Sequence, residues 1–398
     1  MPKQEVNVIS VEHNIPEKKH QKHTALKKPS VGHFGRNEWA ILGGPCTIIK
    51  LLADQVIGAL SADYKCAYID TTHNDDLIVS PGRLVSGAAL DFTDQVNYTQ
   101  LNYNKTFTAF EQKAAFSDAD IVIANGNHHQ AKAQIVIIHE NKRASLQKRV
   151  EKLDNVQMIL LADNVTDVFD FIKEAVPDWD SLPVYRLDES AKIISWFKSQ
   201  MLLAKPKLNG LVLAGGKSER MGHDKSLFNW HGKEQRYYMA DMLKPLCDEV
   251  FISCRADQQQ QINSNYPALP DTFGGLGPYG AILSAFREQP DSAWLVIASD
   301  LPLLTEKSLG FLVHNRNVST IATAFKSDFD DFPEPLITIW EPKSYSVLLA
   351  FLAQGYSCPR KVLINNNINL LEAPDPAELT NVNTPEELEK VKTALQQN

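Results

Sequence analysis

Cysteine is scarce: Cys46, Cys66, Cys247, Cys254 and Cys358 are the only five among 398 residues, and no two form a C-x-x-C pair. An odd number at wide spacing excludes a disulfide framework and speaks against a zinc site, so free thiols are expected. Long apolar runs are missing as well. None approaches eighteen residues, and the opening MPKQEVNVIS is too polar for a signal peptide, so the expectation is a cytoplasmic chain with no membrane partner. There is no surplus of positive charge either, since 40 Lys and Arg face 48 Asp and Glu for a net charge of −8. Nonspecific association with nucleic acid is therefore not expected, and an anionic substrate would have to be met by local cations. His13, His20, His23 and His33 are spaced so that no more than two share a helical face, and no Cys accompanies them, so they read as solvated residues of a mobile tail over 1–37.

What the sequence does have is core: 43% apolar residues over a length that exceeds one ordinary hydrophobic core, which predicts two domains, 38–204 and 205–398. Residues 39–42, 66–70, 120–126, 134–139, 156–162 and 183–187 are short apolar runs separated by helical lengths, the pattern of a parallel α/β sheet. The start of this domain is a strand, a loop at Gly43, Gly44, Pro45 and Cys46, a helix to Leu60 and a second strand, as in a P-loop-like mononucleotide fold. Against G-x-x-x-x-G-K-[ST], Gly44 and Lys50 fit, while Ile49 and Leu51 stand where the second glycine and the hydroxyl residue belong. A β-branched Ile hinders close approach to phosphate and Leu cannot ligate Mg²⁺, so the loop is not expected to hydrolyse nucleotide. Asn127, His128 and His129 follow a strand's carboxyl end, where open α/β sheets place ligand groups; a plain polar loop is the alternative.

The polar link 204–209 precedes a second α/β domain, expected to be Rossmann-like and three-layered like the first. Its first strand, ending at Leu213, runs into Ala214, Gly215 and Gly216, with Arg220 and Lys225 beyond. Glycines that turn with positive φ would bring backbone N–H groups to an anion, and Arg and Lys would add a planar fork and a point charge, so a polyphosphate guest is expected. Asp300 follows the apolar strand WLVIAS, where a carboxylate at a sheet edge can hold Mg²⁺ against phosphates or simply cap a helix. Asp271 precedes a Gly-Pro turn into a helix and can organise that turn. Thr384, Pro385 and Glu387 form a capping box and helix start.

The stretch LAGGKSERMGHDK (213–225) resembles the LAGGxSxRMGxDK signature of the molybdenum-cofactor guanylyltransferases, within the wider nucleotidyltransferase superfamily. The segment around Gly277 and Pro278, the strand end before Asp300 and Leu301-Pro302, the PEPLIT run, Gly355 with Arg360, and NVNTPEEL from Asn381 resemble further segments of that family. The resemblance implies a nucleotidyltransferase fold and an enzyme that transfers GMP from GTP to the phosphate of molybdopterin or the molybdenum cofactor, with Mg²⁺ as cofactor. It assigns Leu213, Ala214, Gly215, Gly216, Lys225, Ser253, Asp271 and Asp300 to the nucleotide, with Arg220, Lys225 and Asp300 catalytic. It further assigns Asp300 and Asn383 to the metal, and Arg360 and Asn381 to the acceptor. Ser253 stands where the family offers an Asn to the guanine nucleoside, which leaves the base open. The first domain resembles the P-loop protein that partners the guanylyltransferase in cofactor assembly, so other assembly proteins are candidate partners. Another nucleotidyltransferase, of cytidylyl or sugar-phosphate type, and a non-catalytic regulatory protein are the alternatives.

Overall fold

A computed structural model of the chain describes residues 32–72, 82–215 and 225–382. In chain order the first half contains β1 (Asn37–Leu42), α1 (Cys46–Leu60), β2 (Cys66–Ile69), β3 (Leu90–Asp94), β4 (Thr99–Tyr103), α2 (Ala109–Ala115), β5 (Ile121–Asn125), β6 (Ala133–Ile138), α3 (Arg143–Gln147), β7 (Val156–Leu161), α4 (Asp170–Ala175), β8 (Val184–Arg186) and α5 (Ser190–Leu203). Six of its strands form one parallel sheet in the order β2-β5-β1-β6-β7-β8, while β3 and β4 make a separate antiparallel ribbon. Strands buried on both faces carry near-continuous apolar runs because helices cover each side. Trp39 and Ile41 pack with Ile49, Val56 and Phe197 on one face, and Leu42 and Ile138 with Leu146 and Ile172 on the other.

The second half continues with β9 (Leu208–Leu213), α6 (Gln235–Leu243), β10 (Glu249–Cys254), β11 (Ala268–Pro270), α7 (Pro278–Glu288), β12 (Ala293–Ala298), α8 (Glu306–His314), β13 (Ala322–Lys326), β14 (Pro333–Trp340), α9 (Ser344–Ala353), α10 (Pro359–Ile364) and β15 (Asn369–Leu371). Its seven-stranded sheet runs β11-β10-β9-β12-β14-β13-β15. The sheet is mixed, because β13 and β14 pair antiparallel and β14 inserts antiparallel beside β12. α6 and α8 cover one face, and α7, α9 and α10 the other. Both halves are thus three-layer α/β units. Among the described residues no helix is long and apolar enough to cross a membrane.

Charged groups are buried where the halves meet. Lys343 Nζ lies 2.5 Å from Asp120 Oδ1, with side chains 4% and 8% exposed, and Asp120 also accepts from Lys65 N and Ser319 Oγ. The last residues of the expected tail are tied here too: the backbone N–H groups of His33 and Gly35 both donate to Asp291 Oδ1.

The loop after β1 is closed on itself. Asn127 Nδ2 donates to the Gly44 carbonyl at 2.9 Å, and its Oδ1 accepts from Gly43 N at 3.4 Å. Gly43 sits at φ +87°, and a Cβ there would lie 2.4 Å from the Ile137 carbonyl oxygen. Lys50 is engaged by Asp70 at 3.3 Å. Of the neighbours singled out from sequence, His128 Nε2 meets Cys46 Sγ at 3.6 Å and His129 Nε2 meets Thr71 Oγ1 at 2.9 Å.

Candidate functional site

Strand register places the second half's candidate residues along one edge. β9 pairs in parallel with β10 and β12, so that Leu213 stands opposite Ser253 on one side and Ala298 on the other. The carboxyl ends of three adjacent strands therefore finish level, and Ala214 to Gly215, Ser253 and Asp300 all emerge at that end. Crevices outside strand carboxyl ends are where open α/β sheets bind ligands.

The loop after β9 is tightly seated. Ala214 N donates to the Ser253 carbonyl at 3.1 Å. That N–H completes the sheet, which corrects the expectation that it faces phosphate. Gly215 also differs from expectation, because its φ lies outside the left-handed region. Glycine is required there by close approach: a Cβ would lie 3.2 Å from Arg255 N and 3.3 Å from Cys254 Cα. Arg255, a residue the sequence reading passed over, holds this loop by donating from Nη1 to the Gly215 carbonyl at 3.2 Å while pairing with Asp257. Its only sequence signal was a cation just past a strand end.

Gly216, Arg220 and Asn383 lie outside the described residues. The described chain resumes at Lys225, which opens a 3-10 turn to Leu227, and buried Ser226 donates from Oγ to the Ala214 carbonyl at 3.4 Å. The far end of the loop thus returns to its beginning, and Lys225 is adjacent in sequence to that closure. Burial raises the thiol pKa of Cys254 at the end of β10, so the thiol stays neutral beside the loop.

Asp300 follows β12 and is half-buried. Its carbonyl accepts from Val382 N at 3.0 Å, which brings exposed Asn381 alongside it. The next turn is braced by His231, whose Nε2 donates to the Pro302 carbonyl at 3.0 Å while its ring stacks on Tyr238.

Asp271 follows β11 and is engaged structurally. Its N–H donates to the Cys254 carbonyl at 2.8 Å, and its Oδ1 accepts from Phe273 N at 2.8 Å and Ser284 Oγ at 2.9 Å. The carboxylate abuts the first turn of α7, where the helix dipole favours negative charge. Gly280 makes this possible, since a Cβ there would lie 2.5 Å from the Phe273 carbonyl and 2.9 Å from Asp271 Oδ2. Arg360, on α10, is held by Asp330 at 2.8 Å and Glu334 at 3.1 Å. Ligand binding through its guanidinium would have to compete with both carboxylates.

Residues 210–368 match the family model for the MobA-like NTP transferase domain. The molybdenum cofactor biosynthesis bifunctional protein of Synechocystis sp. is 32% identical over 200 residues, covering 50% of this chain and 58% of that protein's length. The probable molybdenum cofactor guanylyltransferase of Carboxydothermus hydrogenoformans is 31% identical over 188 residues, 45% of this chain and 92% of that protein. Among solved structures, molybdopterin-guanine dinucleotide biosynthesis protein A of Archaeoglobus fulgidus aligns at 22% identity and a TM-score of 0.42, over 48% of this chain and 100% of that one. Through its second half this chain belongs to the MobA-like NTP transferase family and is a nucleotidyltransferase related to the molybdenum cofactor guanylyltransferases.

Proposed function

We propose that the second half transfers GMP from GTP to the phosphate of molybdopterin or the molybdenum cofactor, releasing pyrophosphate, in the cytoplasm. The observation that carries this reading is the level finish of β10, β9 and β12, which sets the loop from Gly215, Ser253 and Asp300 along one edge. Bond formation joins an acceptor phosphate oxygen to the α-phosphorus while the bond to the bridging oxygen of pyrophosphate breaks. The acceptor oxygen is already anionic, so no strong general base is needed, and positioning with electrostatic stabilisation carries the catalysis.

Leu213 ends the strand that aims the loop, Gly215 and Gly216 bring backbone N–H groups to the β- and γ-phosphates, and Arg220 and Lys225 supply cations for charge developing at phosphorus. Ser253 and Asp271 border the nucleoside, with Asp271 acting through the turn it organises. Arg360 and Asn381 lie toward the acceptor. Asp300 and Asn383 would hold Mg²⁺, which needs only one or two protein oxygens beside phosphates and water, and the bound ion would supply neutralisation of charge at the α-phosphate.

The test is pyrophosphate release measured with GTP, CTP, ATP and UTP, with and without molybdopterin, for the wild type and Asp300→Asn. Release that requires GTP and molybdopterin and is abolished in Asp300→Asn supports the reading. Wild-type turnover in folded Asp300→Asn, or equal use of all four nucleotides, overturns it.

A further inference from the structure

The antiparallel ribbon of the first half presents its apolar side to water. Its register sets Leu90 opposite Tyr103 and Phe92 opposite Leu101, so these four side chains share one face, which Asp94 and Thr99 complete toward the turn. All four are between 39% and 64% exposed. The other face carries Asp91, Thr93 and Asn102, which are half-buried, and the 3-10 turn Gly82–Ser86 reaches it where Arg83 N donates to Asp91 Oδ2 at 3.3 Å. The polar side is thus turned inward and the apolar side outward, the reverse of what burial favours. Among the described residues β3 and β4 pair only with each other, and a two-stranded ribbon is marginal in water unless its hydrophobic face is packed. Phe107 extends the apolar face, its ring edge-on to that of Tyr103 at 5.0 Å.

The area and the charges of this face select its occupant. Aromatic side chains bury about 150–250 Å² and leucine somewhat less, so Leu90, Phe92, Leu101, Tyr103 and Phe107, each near half exposure, offer about 500 Å², and two such faces about 1,000 Å². The exposed turn residues Val96 and Tyr98 raise this into the roughly 1,200–2,000 Å² of specific interfaces. Opposite charges stand at the two ends of the face. Asp94 is exposed near the turn, and Lys105 lies at the base, its ammonium over the Tyr103 and Phe107 rings at 5.7 and 5.3 Å and held there by Glu111. A second copy turned end for end brings each Asp94 toward the partner's Lys105, so the face is complementary to itself, as a two-fold interface requires. A two-fold axis along the strands would instead set Asp94 against Asp94 and Lys105 against Lys105, which repel.

We propose that the β3-β4 ribbon is the interface of a homodimer, packed face to face on the ribbon of a second copy across a two-fold axis that crosses the strands at Phe92 and Leu101. Each copy then covers the apolar face of the other, with Phe92 and Leu101 at the centre and the Asp94 and Lys105 pairs at the rim, where charge sets orientation more than affinity. The interface is separate from the nucleotide-transfer edge of the second half and stands or falls independently of the guanylyl-transfer reading.

The test is sedimentation equilibrium of the full chain over about 1–100 µM, since interfaces of this area reach micromolar affinity or better. The wild type is expected to be dimeric in that range. Phe92→Asp places a charge at the centre of the interface and should raise the dissociation constant by at least about thirtyfold, with the circular dichroism spectrum unchanged because the side chain belongs to no core. Asp94→Lys and Lys105→Glu should each weaken the dimer alone, whereas an equimolar mixture of the two restores it as a pair holding one of each, identified by native mass spectrometry. A wild type that stays monomeric throughout the range overturns the proposal and leaves the face to another occupant, a segment of this chain or a different protein. A dimer that Phe92→Asp leaves intact overturns it by placing the interface elsewhere. A mixture that associates no more tightly than either variant alone overturns the end-for-end packing and the proposal with it.

Discussion

Lys343→Met is expected to loosen the junction of the two halves. Lys343 and Asp120 are buried to 4% and 8% exposure at a separation of 2.5 Å, and removing one member of a buried ion pair typically costs about 3–5 kcal/mol because the survivor is left as an uncompensated charge. Here the survivor is not abandoned entirely. Asp120 keeps the Lys65 N–H at 2.8 Å and the Ser319 hydroxyl at 2.7 Å, which places the loss near the lower end, about 3 kcal/mol. The methionine also gives up the bonds from Nζ to the Asp118 and Ser319 carbonyls. With a urea dependence of roughly 3 kcal/mol per molar, the unfolding midpoint should fall by about 1 M. Lys343→Met/Asp120→Asn removes both charges and should recover most of the loss, ending within about 1–2 kcal/mol of the wild type. Urea titrations of the three variants with the wild type make the measurement. A single variant within about 1 kcal/mol of the wild type, or a double variant no better than the single, would refute the reasoning.

Gly280→Ala should disturb the nucleotide edge, because its Cβ would lie 2.5 Å from a backbone oxygen that cannot swing away; a loss of about 2–3 kcal/mol in thermal or urea unfolding is expected, and a neutral effect would show that the turn is loose. Lys225→Ala should lower turnover by roughly 10²–10³ through lost charge stabilisation while leaving the circular dichroism spectrum unchanged. Glu38 supplies a pH test. Burial acts to raise its pKa, but the Arg36 Nε–H bond at 2.6 Å and the guanidinium charge, with the His33 ring nitrogen 3.6 Å away, override this and hold it at about 2, against 4.5 when free. A depressed carboxylate contributes stability above its unfolded pKa and loses it as pH falls through the folded value. The wild type should therefore lose up to roughly 3 kcal/mol between pH 4.5 and 2 that Glu38→Gln does not, seen as a shallower acid slope of stability in the variant.

By itself the sequence determined the two α/β halves and nearly every buried strand, because doubly covered strands such as AWLVIA (293–298) and AQIVII (133–138) must be continuously apolar. It also located the chain's turn out of the sheet after Leu213, at Ala214 and Gly215. The β3-β4 ribbon escaped notice although its alternation of polar and apolar residues was present, since its apolar face is solvent-exposed and lends no core to the pattern. Only tertiary structure decided that Gly215 is needed for close approach to Cys254 and Arg255, since crowding from another strand has no local signature. The same holds for Ala214, whose N–H is taken by a carbonyl 39 positions away by sequence number, and for Arg360, drawn between Asp330 and Glu334. It holds again for the closed loop after β1: Gly43 and Gly44 signal a turn by composition, but the Asn127 side chain that fills it arrives from β5's end, brought there by parallel pairing that the local sequence does not encode.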